Sequence, residues 1–360
     1  MDQLYSVPRL IQVARARTGI SQTNLAKAIG CSQAFVSKVE SGIRDAGPEV
    51  LQRMAAALGI PLSFFSVSEP IYAQTASFHR TRRVTKKEGD RLWSTVNMLR
   101  FAVARLLSAV DLESPEPLPS LDVDRYDPVE AARMVRAAWR MQPGPVGNLV
   151  HLVEASGVIV VGFDFGTSSI SGVSLLQAGS LPPMVFLNTR HPGDRLRFTL
   201  AHELGHLVMH RVADPNTMED EADAFAAEFL MPASDIRSHL DRRLNLSIVG
   251  SLKRVWRTSM YSIFRRAKDL GTISKDQYRR FMIQMGQFKR IEPHEIPQEP
   301  TPTVSELWDF HRNELEYSRA DMFDVLPVPS DVVQLALGFV KTPALSLHEG
   351  GKKKASSVLG

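Results

Sequence analysis

RLRFTLAHELGHLVMH at 195–210, with EDEADAFAAEFLMP following at 219–232, is the segment on which the architecture of this 360-residue chain turns. Its apolar residues recur at helical spacing, so a helix is expected over about 194–210. On that helix His202 and His206 stand four apart and share one face, while Glu203 lies about 100° around it. Two imidazole nitrogens and one carboxylate oxygen would leave the fourth corner of a tetrahedral ion open to solvent, the arrangement of a catalytic rather than a structural zinc site. Zn2+ is the expected ion, with Mn2+ as the alternative. The third ligand is sought on the second helix, where Glu219 and Asp223 are four apart and face the same way. Glu219 can then ligate while Asp223 accepts the far N–H of a ligand histidine and fixes its tautomer. Glu221 projects elsewhere and is the second choice of ligand. His210 continues the four-residue series but stands about 12 Å along the axis from His202. It is therefore read as a partner behind a ligand histidine or as a core residue. Glu203 points beside the ion toward its bound water, and Tyr261 and His239 are guesses for additional oxyanion contacts.

Working outward, β-branched residues over 157–165 and strand-like runs at 172–176 and 184–188 predict a small sheet ahead of that helix. The last run is expected to supply an edge along which an extended peptide could align. Helical periodicity appears at 91–110, 128–141, 146–156, 219–231 and 235–288, with a last patch at about 304–317. The fold class is accordingly α+β, predominantly helical: an all-α N-terminal domain, then a zincin-like domain with a small sheet and an active-site helix. Pro115, Pro117, Pro119 and Pro128 mark a linker. The tail from 345 onward, with Lys352, Lys353 and Lys354, reads as disordered. The expected organisation is a helical domain at 8–66, a basic helical connector and proline-rich linker at 67–127, the domain carrying the histidine motif at 128–292, and a partly disordered extension at 293–360.

The first 65 residues show short helices with abrupt stops at 8–18, 21–29, 32–41 and 49–58. Ser21 and Ser32 stand where N-cap hydroxyls are wanted, and Gly19, Gly30, Gly42 and Gly59 where chains leave helices. The second and third helices have the length and turn of a helix-turn-helix, whose second helix enters the major groove of DNA. Gln33 and Lys38 would then face base edges and Gln22 a phosphate, with Ser32 and Ser37 completing the DNA-facing set.

Charge supports separate partners for separate segments. Residues 1–111 hold 15 Lys and Arg against 8 Asp and Glu, whereas 112–235 hold 8 against 17. A basic first block adds phosphate affinity, and a single such domain reads few bases, so a homodimer on a two-fold operator is expected. Cys31 is the only cysteine, so no internal disulfide can form. No apolar run approaches the roughly 18 to 20 residues that span a bilayer. A cytoplasmic protein without a membrane role is expected.

Two resemblances sharpen these readings. The segments 195–232 and 253–293 resemble the metallopeptidase domain of the ImmA/IrrE family and its helical continuation, over about 140–293. That resemblance puts His202, His206 and Glu219 on the metal ligands, Glu203 on the general base and Asp223 on the acid behind a ligand histidine. Ser21, Gln22, Leu25, Ala26, Gly30, Ser32, Gln33, Val36, Ser37, Glu40 and Gly42 resemble the Xre/Cro repressor family over about 8–65. The loop Ile43-Arg44-Asp45-Ala46-Gly47-Pro48 departs from that family's usual Arg-x-Pro-Ser spacing. Together they imply a regulator that removes a helix-turn-helix repressor by limited proteolysis, on a mobile element or in a stress response. The competing expectation is a non-proteolytic transcription factor or antitoxin whose protease-like domain senses a ligand or metal.

Overall fold

The computed structural model describes residues 7–72, 78–80, 85–110, 117–121, 125–179, 181–210, 217–288 and 292–337. The expected disordered tail from 345 onward lies outside the described residues. The chain opens with helices α1 (Val7–Thr18), α2 (Gln22–Ile29), α3 (Gln33–Glu40) and α4 (Pro48–Leu58). The hydroxyl of Ser21 accepts the amide of Asn24, and that of Ser32 accepts the amide of Phe35. Each cap therefore satisfies an amide that would otherwise be orphaned at a helix start. Gly30 ends α2 at φ 68°, a left-handed conformation that only glycine adopts without strain. The unusual loop at 43–48 leaves the next helix in place, with Pro48 at its first turn behind Gly47.

Strand β1 (Phe78–Arg80) and helix α5 (Lys86–Leu107) follow, then α6 (Pro128–Ala138) and α7 (Leu149–Glu154). Strands β2 (Ile159–Phe163), β3 (Ile170–Leu175) and β4 (Met184–Asn188) complete the sheet before α8 (Gly193–Met209) and α9 (Met218–Leu230). The expected run 235–288 divides into α10 (Ala233–Leu240), α11 (Leu246–Trp256), α12 (Met260–Asp269) and α13 (Lys275–Met285). Helices α14 (Thr303–Asn313), α15 (Arg319–Val325) and α16 (Ser330–Ala336) close the described chain. The molecule is thus α+β and predominantly helical. Among the described residues, no helix is long and apolar enough to cross a membrane.

The sheet order is β1-β3-β4-β2. β3 runs antiparallel to both β1 and β4, and β2 runs parallel to β4. This corrects one expectation: Met184–Asn188 is an inner strand, with both its edges hydrogen-bonded to neighbours, so it offers no edge to a peptide. β1 escaped the sequence reading because three residues are too few to display a two-residue alternation.

The sheet separates two cores. Ile159, Val161, Phe163, Met184 and Phe186 face one core, which also contains the N-terminal helices, α5 and residues of α14 and α16. Val160, Val185 and Leu187 face the other, built with α6 to α12. Alternate side chains of one strand serve opposite sides, as the pleat requires. Helix α5, expected in a connector, buries Leu92, Val96, Leu99, Phe101 and Val103 around much of its circumference. It packs on α1, α14 and α16, and Arg17 forms an ion pair with Asp331. The helix-turn-helix module, the connector helix and the C-terminal extension therefore share one hydrophobic core. From the proline-rich stretch, the amide of Leu121 reaches the carbonyl of Val208 at 3.0 Å, near the end of α8.

Candidate metal centre and nucleic-acid interface

Helix α8 is buried along nearly its whole length, and buried charge fixes its first turns. Lys253 of α11, 2% exposed, lies 2.6 Å from Asp194 and 3.0 Å from Glu292. Arg197 pairs with Glu299 and donates to the carbonyls of Val146 and Gly147. Two close approaches set the helix against its neighbours. Gly205 lies under the ring of Phe225 of α9, and Gly172 of β3 faces Thr199 and Glu203. A Cβ at Gly172 would collide with the Thr199 methyl and stand 3.0 Å from Glu203 Oε1, so glycine there lets the strand lie directly on the helix.

On this frame His202, His206 and Glu219 converge. Their donor atoms lie within 4.8 Å of one another. The two Nε2 atoms are 3.1 Å apart and each stands 3.4 Å from an oxygen of Glu219. Asp223 Oδ1 is 3.0 Å from His202 Nδ1, which orients that ring with its Nε2 toward Glu219. His202 is fully buried, which by itself disfavours its charged form. The hydrogen bonds it donates to Asp223 and Glu219, with the charge of Glu203 nearby, outweigh burial and push its pKa up to about 9. A site that draws a proton this strongly onto an imidazole also suits a divalent cation, and two imidazoles with one carboxylate form a zinc-type donor set.

His206 has a different support. Its Nδ1 is 2.7 Å from His210 Nδ1, and His210 Nε2 is 2.9 Å from Glu221 Oε2. With His206 Nε2 turned to the ion site, its Nδ1–H donates to His210, which donates onward to Glu221. Burial and the neighbouring His206 push the His210 pKa down, in keeping with a neutral ring. His210 thus stands behind His206, a candidate ligand. The part played by Glu221 was missed, although a lone acid one residue beyond Asp220 in an acidic run gives no spacing signal for it. Glu203 is fully buried, and among the described residues neither carboxylate oxygen has a hydrogen-bond partner. An unpaired buried carboxylate beside a ligand cluster is costly unless it has a reaction to serve.

The two oxyanion guesses lie elsewhere in the packing. The His239 ring sits edge-on to Trp256 at 6.3 Å. Tyr261 is exposed, its amide bonded to Glu292 and its phenol to Tyr278, which burial and Tyr261 push to a high pKa.

At the other module, the expected DNA-facing residues form two groups. Lys38 and Gln33 are exposed on α3, and Ser37 is half-buried there. Gln33 donates to the side-chain oxygen of Gln22 at 2.9 Å, and Gln22 donates to Glu40 at 2.7 Å. Glu40 is held by Arg15 at 2.5 and 3.0 Å, and Gln12 donates to its carbonyl. This chain of amides and charges locks α1, α2 and α3 together. It presents Gln33 in a fixed orientation on the outer face. Ser32 acts through its cap at the start of α3, and Arg44 lies 4.8 Å over the Phe35 ring.

These two features define the class: a DNA-binding module joined to a domain with the ligand geometry of a metallopeptidase. The comparisons agree. Residues 11–65 match the family model described as Helix-turn-helix, and residues 153–268 match the peptidase family described as IrrE N-terminal-like domain. The chain therefore fuses an Xre-like helix-turn-helix to an IrrE/ImmA-like domain. No curated protein matches the chain.

Proposed function

We propose that the chain is a cytosolic transcriptional regulator whose second domain is a zinc-dependent endopeptidase that cleaves a partner helix-turn-helix repressor and so releases the genes it silences. The partner would belong to a mobile element or a stress response. The observation carrying this reading is the convergence of His202, His206 and Glu219 beside a buried carboxylate that has no hydrogen-bond partner among the described residues. His202, His206 and Glu219 would hold the ion, Zn2+ in the first instance and Mn2+ otherwise. When bound, the ion supplies Lewis acidity toward a carbonyl and lowers the pKa of water toward about 7. Glu203 takes up a proton from the attacking water and returns it to the departing amine, a shuttle that contributes about 10²- to 10⁴-fold. Asp223 keeps His202 in the tautomer that presents Nε2, and His210 with Glu221 does the same for His206. Burial of Glu203 keeps bulk water away from it.

The N-terminal module would bind a double-stranded DNA operator as a homodimer. Gln33 and Lys38 are exposed on α3 with Ser37 half-buried between them, Ser32 caps its start, and Gln22 at the start of α2 holds Gln33. The test pairs two variants of the full chain. His206→Ala is expected to lose the bound ion by elemental analysis. Glu203→Gln is expected to retain it, to keep operator binding, and to lose derepression. An ion-free wild-type protein purified without chelator, or regulation that survives Glu203→Gln, overturns the proteolytic reading.

A further inference from the structure

The strand nearest Glu203 has no free edge. β3 touches the catalytic carboxylate through Gly172, and β4 occupies one of its two edges in the register Gly172↔Leu187 and Val173↔Phe186. The other edge is taken by β1, with Phe78 opposite Val173 and His79 opposite Gly172. An extended peptide reaching Glu203 by strand addition must use that second edge, because main-chain hydrogen bonding is what aligns such a peptide. Neighbouring strands stand about 4.8 Å apart, so the backbone of His79 lies one strand spacing out from the glycine that faces Glu203.

β1 is built to leave. It has three residues, and its register slips between His79 and Arg80. So short and irregular a strand holds few ladder bonds and sits at the low end of local stability. The chain on its N-terminal side is anchored independently: the Tyr72 hydroxyl binds the Leu176 carbonyl just past β3, and Trp93 Nε1 donates to the Tyr72 carbonyl at 2.5 Å. On the C-terminal side, Thr85 and Glu88 form a capping box that fixes the start of α5. Displacing 78–80 therefore need not disturb either flank.

We infer that residues 78–80 are an internal competitor for the peptide edge, and that an extended polypeptide substrate reaches Glu203 by displacing β1 from β3. This rests on the peptidase reading, yet it can be tested apart from it. In a strand, successive N–H groups point to opposite sides, so His79→Pro with Arg80→Pro removes whichever donor faces β3. With zinc-loaded full-length protein and fluorescein-labelled casein as probe, the double variant is expected to lower KM about tenfold and leave kcat unchanged. In a Glu203→Gln background, casein affinity is expected to tighten by the same factor. Tighter binding without hydrolysis in any variant would uphold the competitor and dismiss the peptidase. Hydrolysis with unchanged KM and unchanged affinity would do the reverse. If the proline variant misfolds, a cross-strand lock replaces it: Phe78→Cys with Val173→Cys in a Cys31→Ser background. Casein binding that is weak when the lock is oxidised and recovers with a phosphine reductant upholds the inference, and equal binding in the two states overturns it.

Discussion

Helix α3 of the DNA-binding module and helix α8, which carries the candidate metal site, handle charge in opposite ways. On α3 the groups offered to a partner are in water: Lys38 and Gln33 are exposed, and the only deeply buried charge nearby, Glu40, is fully engaged by Arg15 and Gln22. On α8, Asp194, Arg197, His202 and Glu203 are all buried. Reading a phosphate or a base edge asks for little desolvation, so short capped helices suffice. Holding an ion beside an unpaired carboxylate requires a rigid, water-poor frame, and that frame is made of buried ion pairs drawn from distant parts of the chain.

The contrast can be broken by attacking the frame. Glu228 is 1% exposed and binds Arg133 at 2.7 Å and Arg266, and it lies near the amide of Ala233 at the start of α10. Glu228→Ala leaves the buried Arg266 without its counter-ion and should cost about 3–5 kcal/mol. Calorimetry would show a large fall in Tm, and a loss under 1 kcal/mol would mean that this buried ion pair contributes little to the frame.

A second and smaller effect is pH-dependent. Glu154 at the end of α7 has its pKa pushed up to about 7 by burial, against the hydrogen bonds from Thr303 and Val160 that work to lower it. Because the folded state favours the neutral carboxyl, this destabilisation is absent below about 4.5, grows as pH rises, and is complete above about 7. Glu154→Gln should therefore raise stability by about 2 kcal/mol at pH 8, allowing for partial exposure, and by almost nothing at pH 4. Equal Tm gains at both pH values would contradict it.

The smallest effect belongs to the exposed helix. Lys38→Ala should weaken operator binding a few-fold and reduce the dependence of log affinity on log salt by about one, with no change in Tm. A change in folding stability instead would place Lys38 in the frame rather than on the DNA-facing side.

The same contrast explains what was legible in the sequence. The spacing of His202 with His206 on α8 and of Glu219 with Asp223 on α9, like the caps of α2 and α3, is local and shows within one or two turns. Asp223 behind His202 was legible for the same reason. Glu221 behind His210 was not, because its partner follows no fixed spacing. Nor were Glu228 with Arg266, or Asp194 with Lys253, since ion pairs between remote residues leave no periodic trace. The sheet was legible where β-branched residues run together and invisible at β1. Its absence from the reading gave the inner strand β4 an edge that it does not have. Helices α15 and α16 lay hidden in an apparent extension, because α15 is buried against α14 and α16 against α5 and β2, and not through a pattern of their own.

The sheet with a different core on each face is a party wall: neither room can be rebuilt while the other stands untouched. Heat or denaturant that loosens the IrrE/ImmA-like side should unfold the helix-turn-helix side in the same step, so that both are lost in one transition.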